Sequence, residues 1–148
     1  MTIAMPFLKR SKYLPYAASQ MFDLVNDVSQ YPRFLPWCVG ATVLSADEAA
    51  MQASLDFAKG IWRKSFTTRN RFVRDERIEM QLVDGPFAHL SGEWTFANIA
   101  GLGCKTDLNL HFEFKNALTQ FTLGALVKTT ADQVVDAFTQ RAHALYAK

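Results

Sequence analysis

The chain has 148 residues, 49% of them hydrophobic and 20% charged, and 16 basic against 14 acidic side chains leave a formal net charge of +2. A chain of this size buries roughly two thirds of its unfolded surface, which suits one domain over residues 1–148. No apolar run approaches the ~20 residues a membrane helix needs, and the two cysteines, Cys38 and Cys104, are too few for a disulfide scaffold.

No hydrophobic signal segment opens the chain, and its start, with Lys9, Arg10 and Lys12, lacks the length and Ser/Arg richness of a mitochondrial presequence. A reducing cytoplasm is the expected location. Phe7 to Tyr16 reads as a first strand ended by Pro15. From Ser19, a suitable N-cap, Met21, Phe22, Val25 and Val28 recur at helical spacing and predict a helix of about three turns. The connection that follows, Gln30 to Cys38 ("QYPRFLPWC"), is unusually apolar, with Tyr31, Phe34, Leu35 and Trp37 set around Pro32 and Pro36. Pro32 suits the opening of a second short helix, and Pro36 disfavours helical geometry at Leu35 and should stop it there. Four clustered apolar side chains would make an exposed patch unless they cover something.

The period then changes to two. Met51, Ala53, Leu55 and Phe57 alternate with polar residues, as do Ile78, Met80 and Leu82, and Leu108, Leu110, Phe112 and Phe114. Val39 to Ala46, Ile61 to Val73 and Leu90 to Phe96 complete six strands in series, punctuated by turns at Asp47-Glu48, Lys59-Gly60, Arg74-Asp75-Glu76, Asp84-Gly85-Pro86 and Gly101-Leu102-Gly103. From Asn116 onward Val127, Ala131, Val134, Phe138, Ala142 and Leu145 recur at helical spacing, predicting a helix of roughly thirty residues and ~45 Å. It is longer than a small sheet is wide, so the sheet should curve around it. The fold class is therefore α+β: a bent antiparallel sheet of about seven strands gripping a long C-terminal helix, with two short helices after the first strand.

A bent sheet closed on one helix either leaves a cavity or is filled by large side chains, and 12 phenylalanines serve both alternatives. Phe57, Phe66, Phe72, Met80, Leu82, Trp94, Phe96, Leu110 and Phe112 share the inward parity, opposite Val134 and Phe138 of the helix. Along the fourth strand Trp62, Lys64, Phe66, Thr68, Asn70 and Phe72 share that parity, and a buried Thr68 or Asn70 requires a hydrogen-bond partner. Phe87 follows a turn and points to the mouth or to the core. Phe34, Leu35 and Trp37 either gate the space or anchor the short helix.

Signals for catalysis are poor. His89, His111 and His143 lack metal-ligand spacing, Glu79, Glu93 and Glu113 share the outward parity, and Gly101-Leu102-Gly103 opens no helix. No catalytic residue, metal or resident cofactor is expected, and the chain reads as a non-enzyme. One charge feature stands out: Arg63 to Arg77 holds six basic residues against two acids, with Arg63, Arg69 and Arg71 on the outward parity. Such a stripe is either a solvated face or a docking surface for phosphate, on anionic lipid or on ribosomal RNA.

The segments "DVSQYPRFLPWC", "FTTRNRF", "LVDGPFAHLSGEWTF" and "VDAFTQRAHALY" resemble, in order and spacing, the coenzyme Q-binding START-domain family of the polyketide cyclase/START-like superfamily, and its bacterial branch named ribosome-association toxins. The resemblance runs from about Lys12 to the C-terminus. It implies a helix-grip fold with a hydrophobic tunnel, closed at one end by Phe34, Leu35 and Trp37, that holds ubiquinone or a related polyprenyl lipid. The implied role is to assist respiratory electron transport, in the cytoplasm and peripherally at the inner membrane. The toxin branch implies the alternative, binding of the large ribosomal subunit and a block of subunit joining.

Overall fold

A computed structural model describes residues 7–147, apart from the side chains of Lys59, Trp62 and residues 118–131. The elements in chain order are β1 (Phe7–Leu14), α1 (Ala18–Asn26), a 3-10 helix (Val28–Arg33), β2 (Cys38–Ala46), β3 (Ala50–Lys59), β4 (Trp62–Val73), β5 (Arg77–Asp84), β6 (Phe87–Ile99), β7 (Gly103–Phe114) and α2 (Ala117–Tyr146). The strands form one sheet in the order β1-β7-β6-β5-β4-β3-β2, every neighbouring pair antiparallel. Strands β2 to β7 are therefore a meander, and β1 closes the far edge. This is the expected α+β helix-grip plan.

Side chains of the concave face line up in rows across the sheet. Phe72, Ile78, Trp94 and Leu108 form one row. Met51, Asn70, Met80, Gly92 and Leu110 form the next, followed by Ala53, Thr68 and Leu82. The first of these rows carries the core. Phe22 of α1, wholly buried, meets Phe72 and Phe96 edge to face at 5.9 and 6.0 Å between centroids, and Trp94 meets Phe138 of α2 at 5.1 Å. Edge-to-face pairs of this kind add to the large area that aromatic side chains bury.

Local chemistry moves several boundaries from where periodicity places them. β1 ends at Leu14, and Tyr16 enters the core. Helix α1 is capped at Ala17 rather than Ser19: Gln20 accepts the Ala17 N–H at 3.0 Å, and Asn98 of β6 accepts the Ala18 N–H at 2.8 Å. A side chain from a distant strand thus supplies an acceptor that local sequence lacks. Pro32 lies near the end of the 3-10 helix instead of opening it. β6 extends well beyond Leu90 to Phe96 because β7 pairs with it from Phe87 to Ile99. On α2 the core-facing stripe runs Val134, Phe138, Ala142, Tyr146, with Phe138 and Ala142 buried; Leu145 is 50% exposed, while Tyr146 donates to the Gln20 carbonyl at 3.0 Å. Val127, Ala131 and the Trp62 side chain lie outside the described residues.

Two glycines near the β6–β7 turn separate backbone freedom from steric need. Gly101 has φ +76 with open space where a Cβ would stand, whereas Gly103 has φ +122 and a Cβ would lie 2.0 Å from the Leu14 carbonyl oxygen. Gly101→Ala should cost about 1 kcal/mol, the ordinary left-handed penalty. Gly103→Ala should cost about 3 kcal/mol or more, because backbone must move. Urea melts of the two variants check the ranking.

Candidate functional site

Burial falls away along the concave face. Next to α1 and the C-terminal half of α2, Ile78, Trp94, Phe96, Leu108 and Phe138 are buried. One void there, of about 10 Å³ and bordered by Met21, Trp94, Leu108 and Phe138, is no larger than one water. Toward the opposite end Leu55, Phe57, Phe66, Met80, Leu82 and Leu110 are only half-buried although they face inward. Phe57 and Phe66 stack at 5.0 Å and 10°. Gly92 lies among them without a side chain: a Cβ there would stand 2.7 Å from Leu110 Cδ2 and 2.8 Å from Met80 Cε. A glycine inside a strand permits this close approach.

Within this apolar surface lies one polar pair. Thr68 donates to Asn70 Oδ1 at 2.9 Å, and Asn70 is buried. The contact occupies the amide oxygen, so the hydrogen-bonding character that Asn70 offers is that of its NH2 donor.

The sheet also splits. β5 and β6 pair only from Arg77↔Thr95 to Gln81↔Ser91; beyond that Leu82 and Asp84 pair with β4, while Phe87 to Leu90 pair with β7. Between the diverging strands is a cleft of about 410 Å³ lined by Leu82, Phe87 and Leu90 from the inward parity and by Asp84, His89 and Lys115. Phe87 itself turns into a second aromatic cluster with Phe112 and Phe114, at 6.3 and 5.5 Å. Among the described residues no group of three His, Cys, Asp or Glu side chains could hold a metal.

The apolar connection covers α2. Phe34 meets Phe138 at 5.2 Å and Tyr31 at 5.9 Å, with the Arg141 guanidinium over its ring at 5.4 Å, and Leu35 is buried. Tyr31 meets Phe138 at 5.3 Å and donates its hydroxyl to the Val25 carbonyl. Burial pushes the Tyr31 phenol far above its ordinary value, with Cys38 and Asp27 adding to the effect, so it stays a neutral donor. Phe34 and Leu35 thus anchor the 3-10 helix. Trp37 differs: it is half-buried, and its φ of +61 is left-handed. The Cys38 N–H donates to the Leu35 carbonyl at 3.3 Å, closing a turn with Pro36 second and Trp37 third, the position at which a type II turn demands positive φ. Burial also raises the Cys38 thiol, with Asp56 adding to the rise and a backbone hydrogen bond at Gly40 opposing it. An inert thiol results.

The predicted inward set is divided by the structure. Trp94, Asn70, Phe112, Phe87, Leu35 and Phe138 are buried, whereas Phe34, Trp37, Phe57, Phe66, Thr68, Phe72, Met80, Leu82 and Val134 are half-buried. Parity alone missed Gly92, whose break in the run Leu90, Trp94, Phe96 was its visible signal. It also missed the cleft, which needs the register of three strands. Arg63, Arg69 and Arg71 are exposed on the convex face. Arg71 lies directly across from Glu79, which also pairs with Arg77 at 3.3 Å and has Glu93 as its next neighbour, so the row runs from one cation to two adjacent carboxylates.

The sequence model of the polyketide cyclase, dehydrase and lipid transport family matches residues 14–139. The ribosome association toxin RatA of Pseudomonas aeruginosa is 48% identical over 139 residues, covering 94% of this chain and 96% of that one. The coenzyme Q-binding protein COQ10 homolog B of Xenopus laevis is 28% identical, covering 93% of this chain and 58% of that one. Among solved structures, the 18 kDa protein CC1736 of Caulobacter crescentus superposes with a TM-score of 0.76 at 32% identity, covering 97% of this chain and all of that one.

Trp37 supplies a test that separates side chain from backbone. Trp37→Ala removes the ring and keeps the left-handed strain, whereas Trp37→Gly removes both. Trp37→Gly should therefore be the more stable variant by about 1 kcal/mol, a reversal of the usual order, in chemical denaturation.

Proposed function

Since the chain belongs to the polyketide cyclase, dehydrase and lipid transport family and has its START-like helix-grip fold, we propose that it is a carrier of a hydrophobic small molecule, of the polyprenyl quinone class, serving respiratory electron transport. The observation that carries this reading is the half-buried apolar surface formed by Leu55, Phe57, Phe66, Met80, Leu82 and Leu110 inside the grip. A filled core would bury these side chains, and each Å² a guest covers is worth roughly 25 cal/mol. A quinone matches the chemistry: its isoprenoid tail suits the apolar rows, and a ring carbonyl is an acceptor suited to the Asn70 NH2 donor. The name of the coenzyme Q-binding relative supports the same class. Among the described residues Glu79, Glu93 and Glu113 stand on the convex parity, and this arrangement favours binding over acid–base turnover.

The test is ubiquinone uptake. Protein purified from a quinone-containing host should release ubiquinone on organic extraction. Asn70→Leu, which keeps size and removes the donor, should weaken binding of a short-chain ubiquinone about tenfold, the worth of one hydrogen bond. Clean extracts and no uptake of added quinone would overturn the reading.

A second reading has its own support. A relative at 48% identity is named a ribosome association toxin, and Arg63, Arg69 and Arg71 are exposed on the convex face. On this reading the chain acts in the cytoplasm by binding the large ribosomal subunit. Co-sedimentation with that subunit should then fall steeply with salt, and the double variant Arg69→Glu, Arg71→Glu should abolish it.

A further inference from the structure

The β3–β4 hairpin ends in an exposed tip at Gly60 and Ile61. Gly60 takes φ +63 to make the turn, and Ile61 beside it is 104% exposed, the highest value among the exposed large hydrophobics. A single exposed aliphatic side chain is common on soluble proteins and would by itself mean little. Here its neighbours matter. Residues 59–64 read Lys-Gly-Ile-Trp-Arg-Lys, three cations and no anion, and Arg63 and Lys64 are both exposed. The nearby Asp56 carboxylate is engaged by the Ser65 hydroxyl at 2.5 Å.

The tip stands at the open end of the grip. The Ala58 N–H donates to the Trp37 carbonyl at 2.9 Å and Cys38 pairs with Phe57, so the tip adjoins the proline-flanked turn. The β5–β6 turn reaches the same end, because Gly85 stands against Phe66. The cleft between β5 and β6 and the start of α2 lie there as well, since Phe87 pairs with Phe114 at the end of β7. A tip bearing Ile61, followed in the chain by the exposed Arg63 and Lys64, therefore projects from the end of the molecule where the concave surface is least buried.

We propose that this tip docks the protein on an anionic membrane, with Ile61 entering the acyl boundary and Arg63 and Lys64 at the level of the lipid phosphates. Ribosomal RNA would also attract the cations. It has no use for Ile61, because a branched aliphatic side chain neither stacks on a base nor pairs with a phosphate, whereas hydrocarbon rewards its burial. Docking in this pose turns the open end of the grip toward the bilayer. That consequence rests on the ligand-binding reading above; the docking does not.

Flotation with phosphatidylcholine vesicles, with and without phosphatidylglycerol, tests the proposal. The wild-type chain should float with the anionic vesicles only and release as salt is raised. Ile61→Asp should weaken binding about tenfold or more, and Arg63→Ala about fivefold. Both should keep the wild-type melting temperature, because the tip is exposed. Absence of binding to anionic vesicles overturns the proposal, as does equal binding by Ile61→Asp. So does a vesicle-inert chain that sediments with ribosomal subunits through Arg63, which would assign the tip to RNA. Ubiquinone uptake from detergent micelles, which needs no docking, runs in parallel. Docking kept with uptake lost supports the membrane tip and removes the carrier reading; docking lost with uptake kept overturns the tip alone.

Discussion

The structure depends on the packing of one side chain, Phe138 of α2. It meets Trp94 from the middle of the sheet, Tyr31 from the 3-10 helix and Phe34 from the apolar connection, each within 5.1 to 5.3 Å. Helix, sheet and covering segment are fastened at one point. The contact lies in the C-terminal half of α2, in the same zone as the Arg10–Asp132 ion pair at 2.5 Å, which is half-exposed and adds little. Because the fastening is at one end, the curved sheet can close tightly there and stay less filled at the other. The gradient in burial from Ile78 and Trp94 to Phe66 and Leu82 follows from that asymmetry.

Much of the fold was legible because strand and helix periods differ and five turns carry their own chemistry. Asp47 shows how local the turn signals are: its carboxylate accepts the N–H groups of Ala49 and Ala50 at 2.8 and 2.9 Å, so a residue type alone announces the reversal. The features that were not legible all depend on distant partners. The cap of α1 comes in part from Asn98, eighty residues away in the chain. The stripe on α2 ends at Tyr146 instead of Leu145 because Tyr16 and the Gln20 carbonyl wait for it at 5.7 and 3.0 Å. Trp37 occupies a position where turn chemistry favours glycine, so no propensity rule would place it there.

The candidate site shows the same division. Alternation identifies which residues face inward, because a strand has period two. It says nothing of where along the strand the covering helices end, and that boundary decides whether Phe72 or Phe66 is the more accessible. Trp94 and Phe138 read as lining and serve as core. Phe57, Phe66 and Met80 read the same way and stay half-buried. The groove between β5 and β6 arises where two strands stop pairing, a property of three registers at once.

β4 is the strand on which the two proposed activities meet. Phe66, Thr68, Asn70 and Phe72 project inward, while Arg69 and Arg71 project outward between them. The register that keeps these sets apart is held on both sides, by ten consecutive pairs with β3 and by a shift between Thr67 and Thr68 on the β5 side. A slip of one residue would carry arginines into the grip and phenylalanines into water. The register of the strand is therefore tightly constrained whichever partner it serves, and its inward and outward substitutions act on separate surfaces. A ligand on the concave face and a polyanion on the convex face need not compete for the same atoms. They share a backbone, so rigidity imposed on β4 by a guest also fixes the spacing of the guanidinium groups that a phosphate array would read.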